Sequence, residues 1–172
     1  ELRVRERFLV RLNEITASIL GAEKMEEIYQ KLPPSLAELL GADDCYLTRW
    51  DPMLNQPISI GASGASTRTC LEIKFDSDEA NLSRAALEAG HAIGVENAET
   101  SPLMNPRVLA QYSCKSILGI PLIVGNHRLG AALIAYKNHH VFDSDEIRLA
   151  EQAGNLVALA LWDIQQDIEL ER

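Results

Sequence analysis

Three cysteines, four histidines and a few polar groups beside aromatic side chains are the residues of this 172-residue chain able to do chemistry. The thiols are Cys45, Cys70 and Cys114, an odd number with no CxxC pair, so neither a disulfide framework nor a zinc knuckle follows. Thiol redox chemistry needs an exposed thiolate and a resolving thiol within reach. Cys114, two residues after Tyr112 and just ahead of a long apolar run, reads instead as a small buried residue that can face a cavity. His139, His140 and Asp143 offer three metal donors, but adjacent histidines at a strand end diverge and no second spaced cluster accompanies them; the stretch reads as a solvated turn. His91 and His127 read as surface residues. Gly61-Ala62-Ser63-Gly64 lacks the lysine and following helix of a phosphate loop, and no nucleophile elbow or paired-carboxylate context is present. Binding remains. Arg49, Trp50, Ser59, Met104, Tyr112, Cys114 and Tyr136 are the polar or large groups able to line an otherwise apolar pocket.

Composition narrows the partners. A net charge of −9 and a pI near 4.9 argue against nucleic acid or an anionic membrane, both of which call for clustered Lys and Arg. The densest basic run, Arg3, Arg5, Arg7 and Arg11, is interleaved with Leu2, Val4, Phe8 and Leu9 and reads as the wet side of a helix. No apolar run approaches the roughly 20 residues of a membrane span, and no signal-peptide pattern opens the chain. The cysteine usage fits a reducing cytoplasm. The length predicts one domain with one core. Charged, helix-forming sequence at both ends, without an initiator Met, suggests a piece of a longer protein.

The elements that must position these groups follow from periodicity. Phe8, Leu12, Ile15 and Ile19 step by four, three and four, which predicts an amphipathic helix or short coiled-coil seam over 1–20. A second helix over Met25–Leu40 contains Pro33-Pro34, where a kink or a break into two helices is expected. From Asp44 the period becomes two, with Cys45, Leu47 and Arg49 on one side and Tyr46, Thr48 and Trp50 on the other. Further strands are expected at 57–63, 69–75 and 93–95, a helix at 79–88 stopped by Gly90, and a short helix starting at Pro106. The runs 117–124 and 129–136, joined at Gly125-Asn126, form a hairpin that is apolar on both faces and so must be covered on both. Alternation leaves open whether Ile117, Gly119 and Pro121 or Leu118, Ile120 and Leu122 face a ligand. A final helix opens at Phe142-Asp143-Ser144-Asp145-Glu146 and runs to the end. It carries one apolar stripe from Ile147 to Ile168 and a second beside it, Leu149, Ala153, Leu156 and Ala160, so that one can cover the sheet while the other pairs with a partner helix.

This order of elements resembles a GAF domain, the small-molecule-sensing module of signalling proteins. Leu39-Leu40-Gly41-Ala42-Asp43, Ser116-Ile117-Leu118-Gly119-Ile120-Pro121-Leu122, Gly130 and the opening of the last helix carry the resemblance. It implies an α+β, GAF-like (PAS-like) fold over residues 1–172: a central antiparallel sheet with the N- and C-terminal helices on one face and short helices and loops on the other. It also implies a ligand, where there is one, over that second face, with 1–20 and 160–172 as flanking signalling and dimer helices. Relatives that attach a bilin use a cysteine in the loop before the central strand, often followed by histidine. Here 101–111 has no cysteine and Lys115 follows Cys114, so no covalent bilin is expected and the cofactor is undefined. Relatives that reduce free methionine sulfoxide place cysteines near Cys70, but their Val-Cys-Gly run is Ala80-Asn81-Leu82-Ser83 here.

The expected function is therefore a non-catalytic sensory domain of a larger signal-transduction protein, homodimeric through its terminal helices. Two alternatives stay open: a methionine sulfoxide reductase-like enzyme and a purely structural dimerisation domain. Histidine kinases, as in two-component systems, cyclic-dinucleotide enzymes and transcriptional activators all carry such domains.

Overall fold

The computed structural model describes residues 2–63, 81–110 and 114–170. The strand expected at 69–75 lies outside them, as do Cys70 and Tyr112. Two helices come first, α1 (Leu2–Leu20) and α2 (Met25–Leu39), followed by the strands β1 (Asp44–Asp51) and β2 (Gln56–Ala62). Next are α3 (Leu82–Ala89), β3 (Ile93–Val95) and the single turn α4 (Pro106–Leu109). The hairpin β4 (Ser116–Val124) and β5 (His127–Tyr136) leads into α5 (Ser144–Leu170).

Local chemistry explains most boundaries. Gly41 takes a left-handed φ of 64° and the Ala42 amide reaches back to the Ala37 carbonyl, closing α2 with the six-to-one bond of a glycine C-cap. Asn81 caps α3 by accepting from the Arg84 amide at 3.1 Å, and the helix runs Leu82–Ala89; residues 79 and 80 of the expected helix lie outside the described residues. Asp143 caps α5 through the Glu146 amide at 2.8 Å. The two prolines of α2 do not split it; the helix is continuous from Met25 to Leu39, with Pro33 buried and Pro34 exposed. β5 begins at His127, two residues earlier than the apolar run implies, because Val124 and His127 already pair across the Gly125-Asn126 turn.

The five strands form one antiparallel sheet in the order β2-β1-β5-β4-β3. The hairpin lies inside it, as its doubly apolar sequence requires, and α1, α2 and α5 cover one face while α3 and the segment around α4 cover the other. Two cores result. Leu118, Ile120, Leu122, Ala132 and Ile134 belong to the larger, helical one, and Ile117, Ala135 and Leu133 to the smaller, so the sheet's alternation is now assigned. Glycines set the spacing. A side chain at Gly130 would strike the Thr48 carbonyl of β1, and one at Gly154 would come within 2.5 Å of Ile120 Cγ2, so α5 rests directly on β4 at that point.

The second stripe of α5 is largely occupied within the chain. Ala153 and Ala160 are buried, and Leu149 and Leu156 partly so, in the core that also holds Phe8 and Leu12 of α1. Burying the aligned faces of both helices against each other and the sheet removes apolar area from water at about 25 cal/mol per Å2, and this packing rather than helix propensity holds α1 in place.

Candidate functional site

On the face opposite the terminal helices, β1 presents Tyr46 and Thr48, β4 presents Ile117 and Gly119, and β5 presents Ala135. Over them sit Leu82 and Ser83 from the first turn of α3, and Met104, Val108 and Cys114 from the loop around α4. Two contacts seat α3. Leu82 lies on Gly119, where an added Cβ would be 2.8 Å from Leu82 Cγ. The buried hydroxyls of Thr48 and Ser83 lie 2.9 Å apart and hydrogen-bond to each other, with Thr48 also donating to the Ala131 carbonyl at 3.3 Å. Arg84 extends the contact sideways: its guanidinium donates to the Asn55 carbonyl at 2.8 Å and sits 5.7 Å from the Trp50 ring centre.

The residues expected to line a pocket divide between the two faces. Met104 and Cys114 are buried in the smaller core beneath α3 and α4. Ser59 pairs with Thr48 across β1–β2 and so shares its face. Trp50 meets Arg84 on that side. Arg49, its neighbour in the strand, necessarily points the other way, into a cleft of about 20 Å3 with Tyr29 and Gln165. Tyr136 also belongs to the helical core, where its hydroxyl donates to the Leu40 carbonyl at 2.9 Å and its ring stacks on His140 at 4.1 Å between centres. Tyr112 lies outside the described residues. The structure thus gathers Ser59, Met104 and Cys114 on one face and places Arg49 and Tyr136 on the other. Thr48, Ser83 and Arg84 are the polar groups that composition alone passed over, although the two-residue period of β1 already put Thr48 beside Tyr46 and Trp50.

Burial pushes Cys114 up to about 11, with the charge of Asp44 adding to the shift. Cys45 is fully buried in the other core, across the sheet from Cys114. The turn before α5 is solvent-exposed at His139 and Asp143, while His140 is held: its Nε2 is 2.6 Å from Glu146 Oε2, and its amide donates to Ser116 Oγ at 2.8 Å. Among the described residues no group of three His, Cys, Asp or Glu side chains is placed to hold a metal. No helix among them is long and apolar enough to cross a membrane.

A five-stranded antiparallel sheet between terminal helices and a short-helix cover defines the class, and the family comparison agrees. The GAF domain model matches residues 24–161, and the chain belongs to the GAF domain family, whose members are typically regulatory or sensory. In structure it is similar to the GAF domain of a phosphoenolpyruvate-protein phosphotransferase from Coxiella burnetii, with a TM-score of 0.79 and 20% identity over 93% of this chain and 95% of that one. It is also similar to a free methionine-R-sulfoxide reductase from Neisseria meningitidis in complex with its substrate, with a TM-score of 0.75 and 12% identity over 93% and 91% of the two chains. In sequence it is 23% identical over 176 residues to the DNA-binding transcriptional activator HyfR of Escherichia coli K12. That match takes in 93% of this chain and 26% of HyfR, so the chain spans about a quarter of this relative's length.

Proposed function

We propose that this chain is a non-catalytic sensory domain that takes a small molecule over the α3 face of the sheet and passes the change to α1 and α5, which pair with a second copy. One observation carries the reading. Leu82 of the cover packs on Gly119, and the next residue in β4, Ile120, packs on Gly154 of α5, so a one-residue step in the strand joins cover and terminal helix. Any displacement of Leu82 by a ligand is then felt one peptide away from the α5 contact. Ser59, Met104, Cys114 and Tyr112 are the proposed ligand contacts; Arg49 and Tyr136, placed among the helices, are assigned to the transmission side. The likeness to HyfR supports a transcriptional activator as the parent protein. Native mass spectrometry and an absorption spectrum of freshly purified protein test the proposal: a retained metabolite lost on Met104→Ala supports it, and ligand binding that leaves α5 hydrogen exchange unchanged removes the relay.

The seating of Leu82 on Gly119 also favours a second reading, a structural dimerisation domain whose pocket is filled by its own side chain. Failure of a metabolite screen to raise the melting temperature, with the dimer intact, selects it. The enzymatic alternative, which turns on Cys70, is disfavoured by Ala80-Asn81-Leu82-Ser83 standing where such relatives carry Val-Cys-Gly, and by Cys114 and Cys45 lying in separate cores.

A further inference from the structure

β3 is the shortest described strand of the sheet, three residues paired with β4 alone among the described residues. Both of its neighbours in sequence belong to the cover. α3 runs into it through the left-handed Gly90, and the segment that leaves it carries Ala98, Met104 and Val108 into the smaller core. Side chains alternate along it: Ile93 and Val95 face that core, while Ala92 is buried in the larger, helical one and Gly94 lies against the ring of Phe142.

Every second residue of this stretch engages α5 or the turn before it. The Ala92 amide donates to Glu151 Oε1 on α5 at 3.2 Å. At Gly94 an added Cβ would be 2.8 Å from Phe142 Cδ2, so the ring rests on bare backbone. The Glu96 carbonyl accepts from Ser116 Oγ at 2.7 Å, and Ser116 Oγ in turn accepts from the His140 amide at 2.8 Å. Ser116 is 0% exposed, and its hydroxyl serves the strand exit with its one donor and the turn with a lone pair. His140 carries the connection forward: its ring stacks on Tyr136, and its Nε2 meets Glu146 in the first turn of α5.

We infer that β3 is a lever between the cover and the start of α5, with Ser116 as the positioning residue that locks the two together. A shift of α3 or of the segment around α4 displaces β3, and Ser116, Phe142 and Glu151 pass that displacement to the first two turns of α5. A three-residue strand held along one edge yields before β4, which is paired on both edges. The lever is a route beside the contact of Ile120 with Gly154, and it deepens the sensory reading above, from which it takes the cover as the part that moves.

The test is hydrogen exchange read by NMR on the whole chain without any ligand, with Val108→Ala disturbing the cover. Amides 147–151 report the start of α5, and 160–164 report its packed remainder. With Ser116 in place, Val108→Ala is expected to speed exchange at 147–151 about tenfold more than at 160–164, an excess that falls to about twofold or less in Ser116→Ala. A merely structural hydroxyl raises exchange in Ser116→Ala and leaves the response to Val108→Ala unchanged, which overturns the inference. A response at 147–151 no larger than at 160–164 overturns it too. Should Ser116→Ala fail to fold, Glu151→Ala, at a partly buried site, cuts the bond from Ala92 and is expected to lower the excess; an unaltered excess overturns the lever. Since no ligand enters, the two readings fail separately: a working lever in a protein that retains no metabolite counts against the sensor alone, and a retained metabolite without the excess counts against the lever alone.

Discussion

The carbonyl oxygen of Tyr29 in α2 lies against Gly61 of β2, so close that a side chain at Gly61 would overlap it. Pro33, four residues on, has no N–H to give that carbonyl its helical hydrogen bond, and its ring packs on the same glycine. The proline therefore belongs to the helix–sheet contact, and α2 runs through it because the strand comes close where the ladder is interrupted. Gly61→Ala forces α2 and β2 apart and is expected to cost about 1–3 kcal/mol by overpacking. Urea denaturation checks this; an unchanged midpoint would show that the contact yields freely.

The hydroxyl pair of Thr48 and Ser83 is expected to show the asymmetry of buried polar groups. Thr48→Val leaves Ser83 Oγ facing an apolar group and costs about 1–3 kcal/mol, while Thr48→Val with Ser83→Ala costs less than the sum of the singles, with a coupling of about 0.5 kcal/mol or more. A double-mutant cycle in urea reads it. Strict additivity would mean that the hydroxyls do not depend on each other, and with them one of the two contacts seating α3.

Much of this arrangement is legible in the sequence. The doubly apolar runs at 117–124 and 129–136 require cover on both faces, and α1, α2, α3 and α5 supply it. Alternation in β1 separates Tyr46, Thr48 and Trp50 from Cys45, Leu47 and Arg49, and the structure keeps that division. The facing of β4 is not legible, because its two sets of side chains are equally apolar; contact with Leu82 and Gly154, distant in sequence, decides it. The placement of Tyr136 is not legible either, for the same reason. Only the tertiary position of Leu40 and His140 shows that its hydroxyl and ring are already engaged.

Cys114 and Tyr136 make stability fall at high pH. Their ordinary values of 9.0 and 10.0 rise to about 11 and about 12 in the folded protein, burial being the main cause in both, with Asp44 adding to the first and Glu146 and Asp43 to the second. Since each neutral form is favoured by folding, the unfolded chain loses these protons first. Stability from the two groups is flat below about pH 9 and declines from 9 to 11 for Cys114 and from 10 to 12 for Tyr136, by roughly 2–3 kcal/mol each at most. Tyr136→Phe gives up its bond to the Leu40 carbonyl, about 1 kcal/mol at neutral pH, and flattens the decline above pH 10. Urea midpoints from pH 7 to 12 compare the two proteins; parallel curves would exclude Tyr136 as a source.

The buried thiols also predict slow chemistry. At pH 7.5 iodoacetamide should leave Cys45 and Cys114 largely unmodified in the folded protein and alkylate both in urea, followed by peptide mass spectrometry, because both residues are buried and burial raises the Cys114 thiol further. Rapid native labelling of Cys114 would show an accessible thiolate and reopen thiol catalysis.

Coupling across the sheet is the sharpest expectation. Leu82→Ala removes the side chain resting on Gly119 and is expected to cost about 2–5 kcal/mol. Gly154→Ala drives a methyl group into Ile120 from the other face and costs about 1–3 kcal/mol. The two sites share no contact, so if β4 is a rigid divider their effects add to within about 0.3–0.5 kcal/mol. Should β4 instead shift as a unit, the space opened over Gly119 lets the strand retreat from α5, and the double variant is more stable than the sum predicts by about 0.5–1 kcal/mol. A cycle of urea denaturation curves measures that difference directly. Additivity would leave the one-residue step between Gly119 and Ile120 as packing alone, with no path from the cover to the terminal helix.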